Sequence, residues 1–408
     1  MILNSLKELR QKLTTSNKRT VRDVMEEQLN GDVHIIRENL SLSKSELSKI
    51  LSVSRPTLDA VIDKLQANGK LDDVIRKSNG YLFNHTHCNV IADYLNVERW
   101  ADTVGSKHVI MVSNLKGGTG KSTVTVNLAS ALSMGIIESK RVLVIDLDPQ
   151  GSCRNHAQPD MEKTRDMLTA VDLMLAEFET DGRFNDYHEY VEEYGHSAIV
   201  KMSCQPTQYD NLDILPAFPT DTRFNRFVYN YSFDGPDTAQ QLLKTKVIDH
   251  LIEDYDIILI DCPPSLEALV ENALEASTGL IIPVTPRKLD WSATTLFFDQ
   301  IPDIIDSLPS KGENLEWYKV LLNNVEHEHN RDAKMVAKIQ NVMDASNMFI
   351  KTIERSSAFE VAAQQFRTVI DMRPKEKLAI PSQLSNAKAC VNSVSRELIS
   401  ILKQHNGR

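Results

Sequence analysis

Residues His108 to Thr123 read His-Val-Ile-Met-Val-Ser-Asn-Leu-Lys-Gly-Gly-Thr-Gly-Lys-Ser-Thr. The apolar run Val109 to Val112 predicts a buried strand. Lys116 to Gly120 is rich in glycine and predicts a tight loop. Val124, Leu128, Ala131 and Leu132 then recur at helical spacing. Strand, glycine loop and helix in that order form the setting a phosphate-binding loop requires. Gly117, Gly118 and Gly120 let the backbone turn its N–H groups toward phosphate oxygens, and the helix N-terminus adds partial positive charge. On this reading Lys116 to Thr123, with Thr119 inside the turn, bind a nucleotide. Lys121 reaches its β- and γ-phosphates, and Ser122 holds Mg²⁺. The usual pattern has glycine five residues before the Gly-Lys pair. Here that position is Leu115, and a second lysine, Lys116, opens the loop.

Two further apolar stretches end in carboxylates. Val142 to Gly151 reads Val-Leu-Val-Ile-Asp-Leu-Asp-Pro-Gln-Gly, with Asp146 and Asp148 at its end. Tyr255 to Pro264 reads Tyr-Asp-Ile-Ile-Leu-Ile-Asp-Cys-Pro-Pro, with Asp261 just past the apolar run. A carboxylate at the end of a buried parallel strand sits at the rim where α/β sheets bind ligands. Mg²⁺ prefers oxygen ligands and keeps several waters, so Ser122, Asp146 and Asp261 form a sensible metal set.

Lys-Gly-Gly-Thr-Gly-Lys-Ser-Thr, Asp-Leu-Asp-Pro-Gln-Gly and Ile-Asp-Cys-Pro-Pro-Ser-Leu together resemble the deviant Walker ATPases, and among these ParA, the DNA-partition family. The resemblance covers about residues 106–395. It implies a mostly parallel α/β P-loop ATPase domain that uses ATP/ADP and Mg²⁺. It implies that Asp148 orients the attacking water and that Lys116 crosses a two-fold interface to the partner subunit's ATP. An ATP-bound homodimer would bind nucleoid DNA without sequence preference, and a ParB-type centromere-binding partner would stimulate hydrolysis. Asn323 and Asn324, at the end of a predicted strand, fall in the region that holds adenine. Basic residues past Lys351 are where the family contacts DNA, and Arg355 and Lys388 are the nominated contacts.

The region before the loop adds a second function. Leu3, Leu6, Leu9 and Leu13 predict a helical arm within residues 1–40, which the resemblance links to dimerisation. Residues 41–67 read as a helix-turn-helix. Ser43 and Glu46 have capping-box spacing, Ser52-Val53-Ser54 makes the turn, Ser54 caps the second helix, and Pro56 is tolerated in its first turn. Leu58, Val61, Ile62 and Leu65 form its buried face. Asn68-Gly69 stops it. Val74 to Phe83 predicts a hairpin turning at Asn79-Gly80 and carrying Arg76 and Lys77. These parts resemble a winged helix over residues 41–105, linker included. Ser54, Arg55 and Thr57 would face operator bases, while Arg76 and Lys77 meet phosphates. The larger ParA subclass carries such an operator-binding domain ahead of an ATPase domain, here residues 106–408.

Other strands are predicted at 212–217, 279–285, 318–324 and 348–353. Helices are predicted at 167–178, 184–198 and near the C-terminus at 395–403, and a helix with a linker over about 92–105. The net charge of −10 excludes a uniformly basic protein but not a local DNA-binding patch. Residues 1–100 carry about 15 Lys and Arg against about 13 Asp and Glu, so the acidic excess lies in the ATPase part. The five cysteines have no Cys-x-x-Cys pair and fit reduced thiols in a cytoplasmic, nucleoid-associated protein. No apolar run reaches membrane-spanning length. Two other classes share these motifs: a transcriptional repressor switched by ATP, and a membrane-positioning ATPase resembling MinD. The 395–403 segment has no aromatic residue and little basic charge, which favours a packed helix over a membrane anchor.

Overall fold

The computed structural model describes residues 40–71, 74–77, 80–97, 107–136, 140–154, 167–179, 187–230, 238–326 and 330–405. The predicted arm at 1–30, the linker at 98–106 and the first turn residue of the hairpin, Asn79, lie outside the described residues.

The N-terminal unit begins with a short strand, β1 (Leu42–Ser43), ahead of the helix that the Ser43–Glu46 spacing predicts. The strand forms because Leu42 and Ser43 pair with Phe83 and Leu82. Helix α1 (Lys44–Ile50) then starts on a capping box. Ser43 Oγ accepts from the Glu46 N–H at 3.3 Å, and the Glu46 carboxylate accepts from the Ser43 N–H at 2.9 Å. Ser52, at φ 54°, makes the turn. Ser54 caps α2 (Arg55–Ala67), its Oγ accepting from the Thr57 N–H. Gly69, at φ 63°, follows the helix end, where a side chain would be strained. Strands β2 (Ile75–Lys77) and β3 (Gly80–Phe83) pair antiparallel, giving the sheet order β1-β3-β2. Helix α3 (His85–Tyr94) starts seven residues before the predicted Ala92, because Asn84 Oδ1 accepts from the His87 N–H at 2.8 Å and caps it. Leu47, Leu58, Ile62, Leu65, Phe83 and Ile91 make its core.

The second unit is an eight-stranded sheet in the order β11-β10-β9-β4-β8-β5-β7-β6. In chain order its elements are β4 (His108–Val112), α4 (Lys121–Ser133), β5 (Val142–Asp146), α5 (Ala170–Leu175), α6 (Tyr187–Tyr194), α7 (His196–Ser203), β6 (Gln205–Pro206), β7 (Leu212–Leu215), α8 (Arg223–Asn230), β8 (Ile257–Asp261), α9 (Ala268–Ala276), β9 (Gly279–Val284), α10 (Lys288–Ser307), β10 (Trp317–Val325), α11 (Asn330–Val342), β11 (Ile353–Glu354), α12 (Ser357–Gln364) and α13 (Pro381–Leu402). All neighbouring strands run parallel except β6, which pairs antiparallel with β7 at the edge. Both faces are covered, so the central strands are apolar throughout. Val109, Met111, Ile258 and Ile260 face α5, α9 and α10. Ile110, Val112, Ile257 and Leu259 face α4 and α13.

Three predicted elements differ in extent. The 184–198 helix is two, α6 and α7, broken at Gly195 with φ 81°. The 167–178 helix is shortened to α5, which Thr169 and Asp172 close with a capping box. The 348–353 strand shrinks to β11 plus one bridge from Met348 to Val320. The N–H groups of Ile350 and Lys351 instead donate to the Glu397 carboxylate at 2.7 and 2.8 Å, which takes them out of the ladder.

The C-terminal segment is packed. Leu398, Ile401 and Leu402 lie on the buried side of α13, against the sheet face that α4 also covers. None of the helices among the described residues is long and apolar enough to cross a membrane. Ile136, just past α4, is buried in the same hydrophobic cluster as Leu47 and Ile91 of the N-terminal unit. The two units therefore share a hydrophobic contact at the far end of α4. Leu58→Ala, at a side chain with no exposure, is expected to destabilise the N-terminal unit by about 2–5 kcal/mol. Amide hydrogen exchange resolved along the chain checks this, with lost protection concentrated in residues 44–94.

Candidate active site

The loop after β4 is held before it turns. Asn114 is fully buried, and its Nδ2 donates to Pro283 O at 2.9 Å and to Thr294 Oγ1 at 3.0 Å. Its Oδ1 accepts from the Lys116 N–H at 3.1 Å, which fixes where the loop begins. Gly118 and Gly120 have φ 79° and 80°, the left-handed region where glycine carries no steric penalty. Helix α4 starts at Gly120, which has no side chain to cap it. Its first N–H groups therefore face the concave side of the loop, the arrangement that binds anions. Lys121 is buried, and its Nζ donates back to Lys116 O at 3.4 Å. Burial pulls this amine below its ordinary range, opposed by the charges of Asp261 and Asp148.

The carboxylates converge on the start of α4. β5 and β8 pair so that Asp146 lies opposite Asp261. Asp261 Oδ2 accepts from Ser122 Oγ at 2.6 Å, and Oδ1 accepts from Thr125 Oγ1 at 3.1 Å. Burial raises the Asp261 carboxyl to about 6. Burial, with the neighbouring charge of Asp261, holds Asp146 well above the usual carboxylate range. Asp146 accepts from the N–H groups of Asp148 at 3.0 Å and Cys153 at 3.1 Å. Asp148 accepts from the Gln150 N–H at 2.9 Å, within a turn that Arg154 pins by donating to Ala217 O at 2.9 Å. Ser122, Asp146 and Asp261 thus offer hard oxygen donors beside the loop, a set that fits Mg²⁺.

Lys116 is half exposed at the loop rim, its Nζ 3.9 Å from Asp290. A cavity of about 440 Å³ opens beside the loop, lined by Gly118, Gly120, Thr123, Asn323, Asn324 and Arg355 among others. Its volume is in the range of small-molecule sites. The two asparagines differ. Asn323 is buried, and its Nδ2 donates to Thr119 O at 2.6 Å, so its donor is committed to the loop. Asn324, at φ 58°, turns at the cavity wall.

The nominated DNA contacts fall in different places. Ser54, Arg55 and Thr57 are exposed at the start of α2. The Arg55 guanidinium donates to Ser45 Oγ at 2.8 Å. Arg76 and Lys77 lie on the hairpin backbone in β2. Arg355 borders the loop-side cavity and pairs with Glu326, which Arg287 also contacts. Lys388 is half-buried, and burial beside Arg373 lowers its amine to about 8. Asn114, Thr125, Cys153 and Asp290 are site neighbours that no sequence motif singles out. Asn114 lies inside the motif stretch, and Cys153 lies two residues past Gly151 of the Asp-Pro-Gln-Gly turn, so proximity in sequence was the available signal.

A loop of this kind, joined to a parallel sheet with aspartates on the two strands beside it, defines a P-loop ATPase fold of the AAA-domain class. Residues 107–314, just over half of the chain, match the AAA domain family AAA_31, and the chain belongs to it. Its relatives place it in the ParA family. Plasmid partition protein A of Escherichia coli is 26% identical over 368 residues, covering 87% of each chain. Chromosome partitioning protein ParA of Myxococcus xanthus (strain DK1622) is 32% identical over 185 residues, covering 45% of this chain and 53% of its own. A solved partition protein superposes with a TM-score of 0.66 at 20% identity, covering 89% of this chain and 92% of that one, a likeness of fold.

A Cβ on Gly120 would lie 2.5 Å from Asn323 Nδ2 and would sit at φ 80°. Gly120→Ala is therefore expected to break the Asn323–Thr119 bond and to add about 1–2 kcal/mol of left-handed strain. Asn323→Gly in the same chain removes the clash but leaves the strain. Thermal unfolding of both variants checks this: the double variant should recover part of the lost stability, not all of it.

Proposed function

We propose that this chain is a DNA-partition ATPase that hydrolyses ATP to ADP and phosphate and segregates a plasmid or chromosome. The observation that carries the reading is the meeting of Lys121, Ser122 and Asp261 at one glycine loop, with Ser122 Oγ 2.6 Å from the Asp261 carboxylate. The partition proteins among its relatives supply the biological context.

The loop N–H groups of Gly117 to Thr123 bind the β- and γ-phosphates, and the Lys121 ammonium meets charge that develops on the transferring group. Ser122, with Asp261 and Asp146 beside it, would hold the Mg²⁺ of a bound nucleotide, and the ion would supply charge neutralisation at the phosphates. Asp148 orients the attacking water. The cavity bounded by Asn324 and Thr123 receives the nucleoside, and Asn323 braces the loop through Thr119. Lys116, at the rim, reaches the nucleotide of a second copy, so that ATP closes a homodimer. The dimer binds nucleoid DNA, and a ParB-type partner stimulates hydrolysis and release. Arg355 and Lys388 are not assigned to this contact, because one is paired at the cavity and the other is half-buried.

Residues 41–97 act as the operator reader for autorepression. Support comes from the capped helix pair and the exposed Ser54, Arg55 and Thr57. The burial of the apolar face of α13 supports this reading over the membrane-positioning one, which needs that face free.

Phosphate release tests the site: Lys121→Ala should lower the rate by about 100-fold or more, whereas unchanged hydrolysis would remove Lys121 from the reaction. Asp148→Ala should keep ATP binding and stop turnover. Lys116→Ala should bind nucleotide as a monomer and fail to dimerise with ATP, as read by light scattering. An operator footprint tests the second unit. Arg55→Ala should lose about 1–3 kcal/mol of discrimination at one base pair, and a chain starting at Lys107 should give no footprint. Protection of the operator by that shorter chain would move the reader elsewhere.

A further inference from the structure

The turn after β5 curls back on the strand ends, and Cys153 comes to rest against both aspartates. Its N–H donates to Asp146 Oδ2 at 3.1 Å, and its thiol donates to Asp261 Oδ2 at 3.4 Å. One ligand atom from each of Asp146, Cys153 and Asp261 lies within 4.8 Å of the other two, and all three residues are buried. Cys153 is in no disulfide. A tetrahedral ion bonded at about 2.0–2.3 Å separates its ligand atoms by about 3.3–3.8 Å. The sulfur and Asp261 oxygen already stand at that separation, and a closure of about an ångström completes the set.

Sulfur changes which cation this set selects. Mg²⁺ is hard and gains little from a thiol, whereas Zn²⁺ and its heavier congener Cd²⁺ take thiolate and carboxylate together. We propose that Asp146, Asp261 and Cys153 form a binding site for a thiophilic divalent cation of the Zn²⁺ class. Binding replaces the thiol proton by the metal, and the proton leaves to the buffer. No electrons are transferred. Asp261 Oδ2 also accepts from Ser122, so this cation and the nucleotide's Mg²⁺ use the same carboxylate. The competition that follows rests on the function proposed above, but the site itself does not.

The experiment is a Cd²⁺ titration of the nucleotide-free, full-length protein, read by the ultraviolet charge-transfer absorption of a cadmium–thiolate bond. Wild type should show the band, saturating at one equivalent. Cys153→Ser should lose it, and Asp261→Asn should weaken Cd²⁺ binding by about tenfold or more. A band that survives in Cys153→Ser, carried by Cys88, Cys204, Cys262 or Cys390, would overturn the assignment, as would no band in wild type. Anomalous scattering from Cd²⁺-soaked wild-type crystals gives a second measurement that needs no variant to fold. Cadmium bonded to Cys153 Sγ supports the site, and cadmium bound elsewhere overturns it. Cadmium at Cys153 with ATP hydrolysis indifferent to it supports the site and counts instead against the role of Asp261 in holding nucleotide Mg²⁺.

Discussion

Two aspartates, Asp146 and Asp261, end neighbouring parallel strands in register, with almost no exposure between them. Like charges placed side by side away from water repel strongly, because the local dielectric is low. The surrounding chain is arranged to answer that. Two N–H groups point at Asp146, and two hydroxyls and a thiol point at Asp261. Lys121 places a buried ammonium beside them. These donors lower the cost but leave both carboxyls pushed up from their ordinary range. A divalent cation placed between them would remove the remaining penalty. The glycine loop, the uncapped start of α4 and the curled turn after β5 all follow from having to bring donors and a cation to one point.

The parts of the site that were legible in the sequence are those that a short segment determines alone. A glycine loop between an apolar run and a helix is local, and so is an aspartate at the end of a run such as Val142 to Ile145. Their meeting follows from one rule, that parallel strands end at a common rim. What could not be read depends on contacts between distant segments. Asn323 and Thr119 are 204 residues apart, and only the folded sheet commits the asparagine amide to the loop carbonyl. Arg355 is basic in sequence, but β11 delivers it to the loop-side cavity and to Glu326. Lys388 has helical neighbours that suggest an open face, yet it is half-buried, near the charges of Arg373, Asp371 and Glu376. Short strands such as β1 and β6 also escaped notice, since two residues hold no periodicity and form only because a partner strand is present.

Helix α4 links the two ends of the described molecule. Most of its residues are buried, and at 1.5 Å per residue its 13 residues span about 20 Å. It starts at the phosphate loop, and the chain just beyond it places Ile136 in the N-terminal core. Midway, Ser130 Oγ donates to Thr368 Oγ1 at 3.0 Å, and Asn127 Oδ1 accepts from the Val369 N–H at 3.1 Å. The segment carrying Thr368 is itself fixed by Arg367, which is buried against Asp371 and Glu376. Close packing makes such a helix move as a body or not at all. A displacement at Lys121 therefore has a continuous, buried route to the base of the helix pair. Among the described residues the N-terminal unit also borders a cavity of about 450 Å³ lined by Ile50, Cys88, Ile136, Arg373 and Arg396 among others.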